Sequence, residues 1–356
     1  MRSGSPRIVI AAGGTAGHVV PALAVAGALR DEGAEVEFIG GGRAEAELVP
    51  AAGFPLSSIS VEGLSRRSPV RAARALLRAA RAVVRARALL GELRPDAVMG
   101  GGGYVAGPVG LAALSRRIPL VLTEADSRLG LTNRALAPFA RRVCLAFPIA
   151  RREGRRYRVT GRPIPPPQMD GRGARARLGV AEGERCVLIF GGSLGARSIN
   201  LAALEAFAGA GFHVVHVCGR RDYPELRERL LPRGYDLREY MDLQTFADAL
   251  AAADLVVARA GGSVFEIAAH GAPAILVPYP HASSDHQSAN ARWMSAAGAA
   301  VVIPDAELTG PRLAREVAEL LADPSRLRAM VLAARGLARP DAAREIAAEL
   351  LGAARG

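Results

Sequence analysis

Short, mostly apolar runs alternate along the chain with glycine-rich turns and longer amphipathic stretches. Residues 7–12, 35–40, 96–99, 120–123 and 157–160 predict five strands in the first half of the chain. Such runs are typical of a parallel sheet covered on both faces, and the stretches between them are long enough for helices. The alternation predicts an α/β protein with parallel, doubly wound sheets.

The same order of elements starts again in the second half of the chain. The predicted strand at 186–190 is followed by GGSLG (191–195), which echoes GGTAG (13–17) after the first strand. A linker rich in proline and arginine separates the halves, so we expect one domain over 1–160 and a second over 161–340. The last helix, 341–356, is expected to cross back to the first domain. Two such units predict two sheets that face each other across a cleft.

Residues 254–290 are predicted to form strand, glycine turn, helix, strand and polar loop. Gly262 lies in the turn, Ser263 is expected to cap the helix, and Glu266 follows in the first helical turn. Gln287 lies in the polar loop. Ligands of doubly wound sheets bind where strands end and helices begin, and helix N-termini attract phosphate. The pattern predicts a ligand site, with an ordinary βαβ unit as the alternative.

The first glycine turn also predicts ligand contact. It lacks the G-x-G-x-x-G spacing, because Ala12 stands where the first glycine would be, and no acidic residue ends the second strand. This argues against a nicotinamide cofactor. Thr15 and the neighbouring glycines are suited to cradle a phosphate. His18, at the mouth of the turn, is a candidate general base, and a helix cap is the alternative.

Two further turns of the first half carry candidate chemistry. Four consecutive glycines, 100–103, precede Tyr104, and their N–H groups suit a diphosphate, with a flexible turn as the alternative. Glu124 and Asp126 follow the strand at 120–123, where they are either site carboxylates or solvated helix caps.

Charge is distributed unevenly. The 46 basic residues are all arginine, and residues 1–160 hold 24 of them against 12 Asp and Glu, whereas the remainder is balanced. The net charge of +12 therefore lies in the N-terminal half, which we expect to face an anionic partner.

A long helix predicted over 68–90 has no acidic residue and carries one arginine stripe with 3-4-3-4 spacing: Arg71, Arg74, Arg78, Arg81 and Arg85. This stripe predicts contact with an anionic membrane surface, or else a solvated face of a packed helix.

Several classes of protein are disfavoured. No apolar stretch approaches the ~20 residues that span a bilayer, and residues 1–7 lack the apolar run of a signal peptide. Three widely separated cysteines predict buried thiols in a reducing compartment, and hence a cytosolic origin. There is no D-x-D motif and no metal-type histidine spacing, so we expect no metal. The charge of a leaving nucleoside diphosphate would then be met by helix N-termini, glycine N–H groups and Arg or His.

Six motifs together resemble the MurG family of glycosyltransferases. They are GGTAGHVVPALAVA (13–26), GGGGYVAGPVGLAA (100–113), GLTNRAL (130–136), GGSLGARSIN (191–200), EIAAHGAPAILVPYPHA (266–282) and DHQSANA (285–291). This family adds GlcNAc to undecaprenyl-diphospho-MurNAc-pentapeptide, lipid I, with inversion at the anomeric centre. The resemblance implies a GT-B fold of two Rossmann-like domains, with no cofactor and no nucleic acid.

The resemblance also implies partners and a location. The C-terminal domain would bind UDP-GlcNAc, and the N-terminal domain would bind lipid I at the anionic cytoplasmic face of the bacterial cell membrane, as a peripheral protein. Other proteins of cell-wall synthesis and division, and so of cell shape, are expected as partners.

By this resemblance, site roles are assigned residue by residue. On the donor side, Glu266 would hold the ribose, Gln287 the GlcNAc hydroxyls, and Met241 the uracil. Gly192 and Ser193 would hold the donor diphosphate, and the remaining donor contacts would be Thr15, Ala16, Gly17, Asp126, Arg162, Gly262 and Ser263. His18 would be the base for the acceptor C4 hydroxyl, with Glu124 the second catalytic candidate. The acceptor diphosphate would lie at Gly14, Gly102, Gly103 and Tyr104.

The chain departs from the family pattern at three places, one of which is the glycine turn before Glu266, shorter by one residue than usual. TEAD (123–126) stands for H-E-Q-N, so that Asp126 replaces an amide that contacts the sugar. GRPIP (161–165) stands for G-N-P-V-R, so that Pro165 replaces an arginine near the diphosphate, and Arg162 is the candidate substitute.

The leading hypothesis is GlcNAc transfer to lipid I, which gives lipid II for peptidoglycan synthesis. One alternative is a glycosyltransferase of the same fold with another lipid or metabolite as acceptor. A second alternative is a UDP-GlcNAc 2-epimerase, which would need no membrane face. A third is a nucleotide-sugar-binding protein without catalysis.

Overall fold

The structure is a computed structural model that describes residues 4–60, 69–192, 194–229, 231–282 and 285–356; the side chains of 69–77 and 79 lie outside this description. The chain forms two compact units, Met1–Pro165 with Arg339–Gly356, and Pro166–Ala338. The predicted boundaries were 160/161 and 340/341. The first unit extends to Pro165 because Gly161 donates its N–H to the Leu145 carbonyl, and Arg162 bonds to Gly17.

The first unit contains a seven-stranded sheet in which every pairing is parallel. Its strands are β1 (Arg7–Ala11), β2 (Glu35–Gly40), β3 (Leu56–Ser58), β4 (Ala97–Gly100), β5 (Leu120–Glu124), β6 (Arg142–Leu145) and β7 (Tyr157–Val159). The strand order is β3-β2-β1-β4-β5-β6-β7. The order reverses between β1 and β4, so the turns after these two strands meet at a topological switch point, where doubly wound sheets bind ligands.

The second unit repeats this architecture with a six-stranded parallel sheet. Its strands are β8 (Cys186–Phe190), β9 (His213–Val217), β10 (Tyr235–Arg238), β11 (Leu255–Ala258), β12 (Ala274–Leu276) and β13 (Ala300–Val302). The order is β10-β9-β8-β11-β12-β13. Its switch point lies between β8 and β11, and a predicted glycine turn follows each of these two strands.

Helices cover both sheets. In chain order they are α1 (Ala16–Asp31), α2 (Ala44–Ala51), α3 (Pro69–Leu93), α4 (Ala106–Ser115), α5 (Leu131–Leu136), α6 (Gly171–Arg177), α7 (Arg197–Ala206), α8 (Tyr223–Leu226), α9 (Leu243–Ala252), α10 (Val264–His270), α11 (His286–Ala296), α12 (Gly310–Ala322), α13 (Pro324–Leu337) and α14 (Ala342–Arg355). Helix α8 is a single turn of four residues. Among the described helices, none is long and apolar enough to cross a membrane.

The core of the first unit has two halves because side chains alternate across a strand. Ile8 and Ile10 of β1 pack with α1, α2 and α14, whereas Val9 and Ala11 pack with α3, α4 and α5. Helix α14 is thus part of the first unit, although in the sequence the whole second unit separates it from the rest of that unit. The three cysteines are buried and free, as predicted.

An ion-pair network also fixes α14 to the sheet. Glu349 of α14 accepts hydrogen bonds from Arg142 Nε of β6 (2.6 Å) and Arg158 Nη1 of β7 (2.8 Å). These bonds tie the last helix to the edge strand β7 and to its neighbour β6, although all strands of this unit precede residue 160.

Candidate active site

The glycine turns after β1 and β4 pack directly against each other. Gly103 has a φ of +73°, and a Cβ at this position would overlap the carbonyl of Gly13. Gly14 has a φ of +113° and lies between two rings, because a Cβ added to it would lie 3.6 Å from the Tyr104 ring and 4.0 Å from His18 Cδ2. A side chain at Gly103 would therefore separate the turns, which explains why this contact requires glycine.

His18 lies in the first turn of α1, against the second glycine turn. It is half-buried, and a Cβ on Gly102 would lie 2.9 Å from its Nδ1. Burial lowers the pKa of His18 below its ordinary value, the positive charge of Arg162 lowers it further, and Asp126 acts in the opposite direction. The imidazole is therefore held neutral near pH 7, the form that accepts a proton.

Thr15, Ala16 and Gly17 surround the start of the same helix. Thr15 and Ala16 are exposed, and the Thr15 carbonyl accepts the His18 N–H over 3.0 Å. Arg162 Nη2 donates to the Gly17 carbonyl over 2.5 Å. This bond brings the start of the predicted linker beside the catalytic candidate.

Glu124 ends β5 and is almost fully buried. Its Oε1 accepts from the Asp126 N–H (3.1 Å), and its Oε2 accepts from the Gly130 N–H (2.8 Å) and Asn133 Nδ2 (2.9 Å). Burial raises the pKa of Glu124, and these three donors oppose the rise. Both oxygens are occupied by the loop that they organise, so the geometry favours a positioning role for this carboxylate. Asn133 was not singled out from the sequence.

One cavity of about 290 Å³ brings together several of the predicted site residues of the first unit, but not Gly14, Thr15, Ala16 or Tyr104. Its mouth is polar and its deeper wall is apolar, the latter formed by residues of α1, β4 and α14: Ala22, Val25, Met99 and Ile346. The polar lining includes Gly17, His18, Gly102, Gly103, Glu124, Asp126, Asn133 and Arg162. A base, two carboxylates, a guanidinium and glycine backbone thus meet in one space.

Glu45 of α2 is a site residue that sequence reasoning missed. It is fully buried, and its Oε2 accepts from the Gly14 N–H (2.8 Å) while its Oε1 accepts from the Gly41 N–H (2.9 Å) and the Tyr104 hydroxyl (2.8 Å). Burial alone would raise the pKa of Glu45, but these hydrogen bonds outweigh it and lower the pKa. Gly14 and Tyr104 were predicted to bind the acceptor diphosphate. The Gly14 amide and the Tyr104 hydroxyl already donate hydrogen bonds to Glu45 within the protein.

In the second unit, the turn after β11 lies beside α11. Asn290 Nδ2 donates to the Ala260 carbonyl over 3.0 Å, and Gln287 Nε2 lies 3.9 Å from a Cβ built on Gly261. Gln287 Oε1 accepts from the Tyr279 N–H over 2.9 Å. The structure therefore brings predicted Gln287 together with the turn that leads to Gly262 and Ser263.

Glu266 lies half-buried in the first turn of α10, at the same sheet edge. Ser263 occupies the N-cap position, but its side chain makes no capping hydrogen bond, so the predicted cap is wrong. Its backbone is already helical (φ −61°, ψ −13°), whereas a capping side chain accompanies an extended backbone.

The other donor-side residues lie on the opposite side of this switch point. Gly192 is exposed in the turn after β8, and Ser193 lies outside the described residues. Met241 is buried after β10, two strands further along the sheet, where the next residue, Asp242, caps α9.

Arg259 is a second residue whose role the sequence did not reveal. This nearly buried guanidinium follows β11 and donates to the Val277 and Pro278 carbonyls, to Asp305 Oδ1 (2.6 Å) and to Ser198 Oγ (2.8 Å). It therefore fixes the ends of β11 and β12 to the start of α7, around the candidate donor turns.

The arginine stripe lies on α3. Arg78, Arg81 and Arg85 are exposed there, whereas the side chains of Arg71 and Arg74 lie outside the described part. Val84 is 69% exposed among these arginines, while Ala82, Ala86 and Leu90 are buried in the core. The helix thus presents a mixed basic and apolar face.

Within the described ranges, no group of three or more His, Cys, Asp or Glu side chains is arranged to hold a metal ion. The expectation of metal-free catalysis stays a prediction.

Comparisons with known proteins match both units. The Glycosyltransferase family 28 N-terminal domain matches residues 8–145, and the Glycosyltransferase family 28 C-terminal domain matches residues 186–346. A protein of Moorella thermoacetica named UDP-N-acetylglucosamine–N-acetylmuramyl-(pentapeptide) pyrophosphoryl-undecaprenol N-acetylglucosamine transferase is 43% identical, over 94% of this chain and 96% of that protein.

Solved structures agree with the sequence matches. The crystal structure of Acinetobacter baumannii MurG superposes with a TM-score of 0.78 at 30% identity, over 98% of this chain and 100% of the other. A UDP-N-acetylglucosamine 2-epimerase superposes with a TM-score of 0.69 at 15% identity, over 98% of this chain and 96% of the other, which shows a shared fold and no more.

These findings define the chain as a glycosyltransferase with the GT-B fold, which confirms the predicted fold class. Within that class, the chain belongs to the MurG family, and the resemblance carried by the six motifs is confirmed.

Proposed function

We propose that this protein transfers GlcNAc from UDP-GlcNAc to the C4 hydroxyl of MurNAc in undecaprenyl-diphospho-MurNAc-pentapeptide, with release of UDP. The observation that carries the proposal is the family match in both units, at 43% identity over 94% of the chain to a transferase of this name. The first unit would bind the lipid-linked acceptor, and the second would bind the nucleotide sugar.

The chemistry proposed for the first unit begins at His18. Its neutral imidazole accepts the proton of the acceptor hydroxyl while that oxygen forms a bond to the anomeric carbon of GlcNAc. The bond from the anomeric carbon to the diphosphate oxygen breaks, UDP leaves with the electron pair, and the configuration inverts. Asp126, whose negative charge raises the pKa of His18, stabilises the imidazolium that forms.

Glu124 is assigned a supporting role in this mechanism. Its three hydrogen bonds hold the 125–133 loop, which carries Asp126 along the same cavity as His18. Protonation of this carboxylate would replace three charge-assisted hydrogen bonds with weaker bonds to a neutral group.

For the donor, we propose ribose binding by Glu266 and sugar recognition by Gln287. The UDP charge would be met by the glycine turns and helix N-termini of the switch point, and by Arg162, which the resemblance assigns to the donor diphosphate, without a metal. Gly192, Ser193 and Met241 keep the roles that the resemblance gives them.

We further propose peripheral binding to the anionic cytoplasmic membrane surface through α3. Exposed Arg81 and Arg85 flank exposed Val84, so one face of α3 offers both charged and apolar side chains for membrane binding. The first unit holds 28 arginines against 15 Asp and Glu, whereas the second holds 18 against 19, so the positive charge lies in the unit that carries α3.

The deciding experiment measures UDP release from UDP-GlcNAc in EDTA, with and without a short-chain lipid I analogue. Acceptor-dependent release, with GlcNAc found on the MurNAc C4 oxygen, is expected. UDP release without acceptor, accompanied by ManNAc, would instead identify a 2-epimerase. If EDTA abolished turnover and excess Mg²⁺ restored it, only the proposal that catalysis needs no metal would be contradicted.

A further inference from the structure

A buried carboxylate holds together three parts of the first unit that are distant in sequence. Glu45 accepts hydrogen bonds from the Gly14 amide after β1, the Gly41 amide after β2 and the Tyr104 hydroxyl after β4. Its side chain is fully buried, so it cannot touch a ligand itself. Because all three partners are donors, an ionised carboxylate satisfies them and a neutral side chain of the same size cannot.

The partners of Glu45 adjoin the catalytic candidate. Gly14 lies between the Tyr104 ring and the imidazole of His18, within 4.0 Å of each by the position of an added Cβ. The Tyr104 ring in turn lies under the exposed guanidinium of Arg43, whose Cζ is 5.1 Å from the ring centroid. Movement of Gly14 or of the Tyr104 ring would therefore change the packing beside His18, and movement of the ring would also shift the guanidinium of Arg43.

The charge of Glu45 needs an explanation beyond packing. Glu45 lies beside glycine turns that, under the proposed function, receive an anionic diphosphate. A negative charge at this position opposes the binding of that anion. Three short hydrogen bonds offset part of that cost and keep the carboxylate ionised. The pKa of Tyr104 is raised to about 12, by burial and then by its bond to Glu45, so its hydroxyl stays a donor.

We propose that Glu45 is a positioning residue of the transfer reaction, which sets the Gly14 turn and the Tyr104 ring against His18 and the lipid-diphosphate acceptor. This inference rests on the proposed function, because its readout is acceptor turnover. It predicts a defect confined to the acceptor side, since Glu45 and all its partners belong to the first unit.

Glu45→Gln is the sharpest substitution. The amide keeps the size of the side chain but turns an N–H₂ group toward at least one of the three donors. We expect kcat/KM for a lipid I analogue to fall about 10- to 100-fold, since small misplacements of reacting groups have effects of this order. UDP binding by the same protein, measured by calorimetry, should change less than about twofold.

A second variant reaches the same contact without altering Glu45. A Cβ on Gly41 would overlap the Tyr104 hydroxyl and lie 3.0 Å from Glu45 Oε1, whereas a Cβ on Gly42 would have no atom within 4 Å. Gly41→Ala should therefore reproduce the acceptor defect, and its neighbour Gly42→Ala is the matched control. Glu47→Gln, an exposed glutamate of the same helix, is the charge control.

The outcomes separate this inference from the proposed function. Wild-type turnover of the analogue tests the function, and the ratio of variant to wild type tests Glu45. Wild-type kcat/KM in both Glu45→Gln and Gly41→Ala, or a loss of UDP binding equal to the loss of acceptor turnover, would overturn the proposal. Tyr104→Phe should lower kcat/KM for the analogue less in the Glu45→Gln background than in the wild-type background, because the hydrogen-bond partner of Tyr104 is already altered there. If Glu45→Gln fails to fold, Gly41→Ala against Gly42→Ala decides.

Discussion

Arg162 donates a hydrogen bond from Nη2 to the carbonyl oxygen of Gly17 over 2.5 Å. The bond spans 145 positions of sequence and holds a guanidinium next to His18. After burial, this positive charge is the main cause that lowers the pKa of His18, while Asp126 raises it. Two residues at which the chain departs from its family pattern thus act in opposite directions on the proposed base.

The pH profile of the reaction should report both charges. A base works in its neutral form, so kcat/KM falls as the pH drops through the pKa of His18 in the free enzyme. Arg162→Gln removes a charge that lowers this pKa, so the acid limb should move to higher pH. Asp126→Asn removes a charge that raises it, so the limb should move to lower pH. Arg162→Lys, which keeps the charge, is the control, and shifts of equal sign in the two neutral variants would exclude His18 as the titrating base.

His18→Ala tests the base directly. We expect kcat to fall about 10²- to 10⁴-fold, because general base catalysis contributes rate factors of that size. Calorimetric UDP binding should be unchanged, since His18 lies in the first unit. A loss below tenfold would assign proton transfer elsewhere, and Asp126 would be the next residue to replace, because both oxygens of Glu124 are engaged.

Glu266→Ala tests the donor side. Loss of a ribose hydrogen-bond partner costs about 1–3 kcal/mol, so the KM for UDP-GlcNAc should rise about 5- to 150-fold, with the acceptor KM little changed. Glu319→Ala, at an exposed glutamate of α12, is the control for removing a carboxylate from the same unit. Equal donor KM values in the two variants would remove Glu266 from the ribose site.

The repeated architecture could be predicted from the sequence because its signals are local. Strands β2 and β8 begin and end where expected, since apolar runs there stop at glycine turns. Strands β3, β6 and β13 were not predicted, because three or four residues are too few to show a period and no glycine turn follows them. Strand β4 is as short, but the glycines after it mark its end. Helix α2 was missed too, and with it Glu45.

The site was predictable in part for the same reason. His18 and the glycine turns are marked by type and position next to strands, and the cavity brings His18 together with Gly102, Glu124 and Asp126. The links between distant segments have no local signature. Glu45 to Gly14 spans 31 positions and Arg259 to Asp305 spans 46. In the sequence alone, Glu45, Arg259 and Asp305 each resemble an ordinary surface charge.

The attachment of α14 should depend on pH. Burial alone would raise the pKa of Glu349, but hydrogen bonds from Arg142 and Arg158 outweigh it and lower the pKa below the ordinary value of 4.5. A lowered folded-state pKa means that the stabilisation is present above the unfolded pKa and is lost as the pH falls through the folded one.

Glu349→Gln should therefore destabilise the protein by about 1–2 kcal/mol at pH 7, as expected for charged hydrogen bonds with one partly exposed partner. The difference from wild type should shrink below pH 4.5 and vanish once wild-type Glu349 is protonated. Urea titrations followed by circular dichroism at pH 7 and at acid pH measure this. A constant difference across that range would mean that packing, and not charge, explains the loss.

Membrane binding supplies the last prediction. Exposed arginines contribute about 1 kcal/mol each near anionic lipid, so Arg81→Gln with Arg85→Gln should weaken binding to phosphatidylglycerol vesicles about 30-fold. Arg87→Gln is the matched control from the same helix, because Arg87 bonds to Ser115 of α4. Vesicle sedimentation at low and high salt measures binding, and salt should remove the difference between wild type and double variant.

Activity on a soluble acceptor analogue should be retained in the Arg81 and Arg85 double variant, because these residues do not line the His18 cavity. Equal losses on vesicles and on the soluble analogue would mean that the stripe contacts the acceptor or supports the fold.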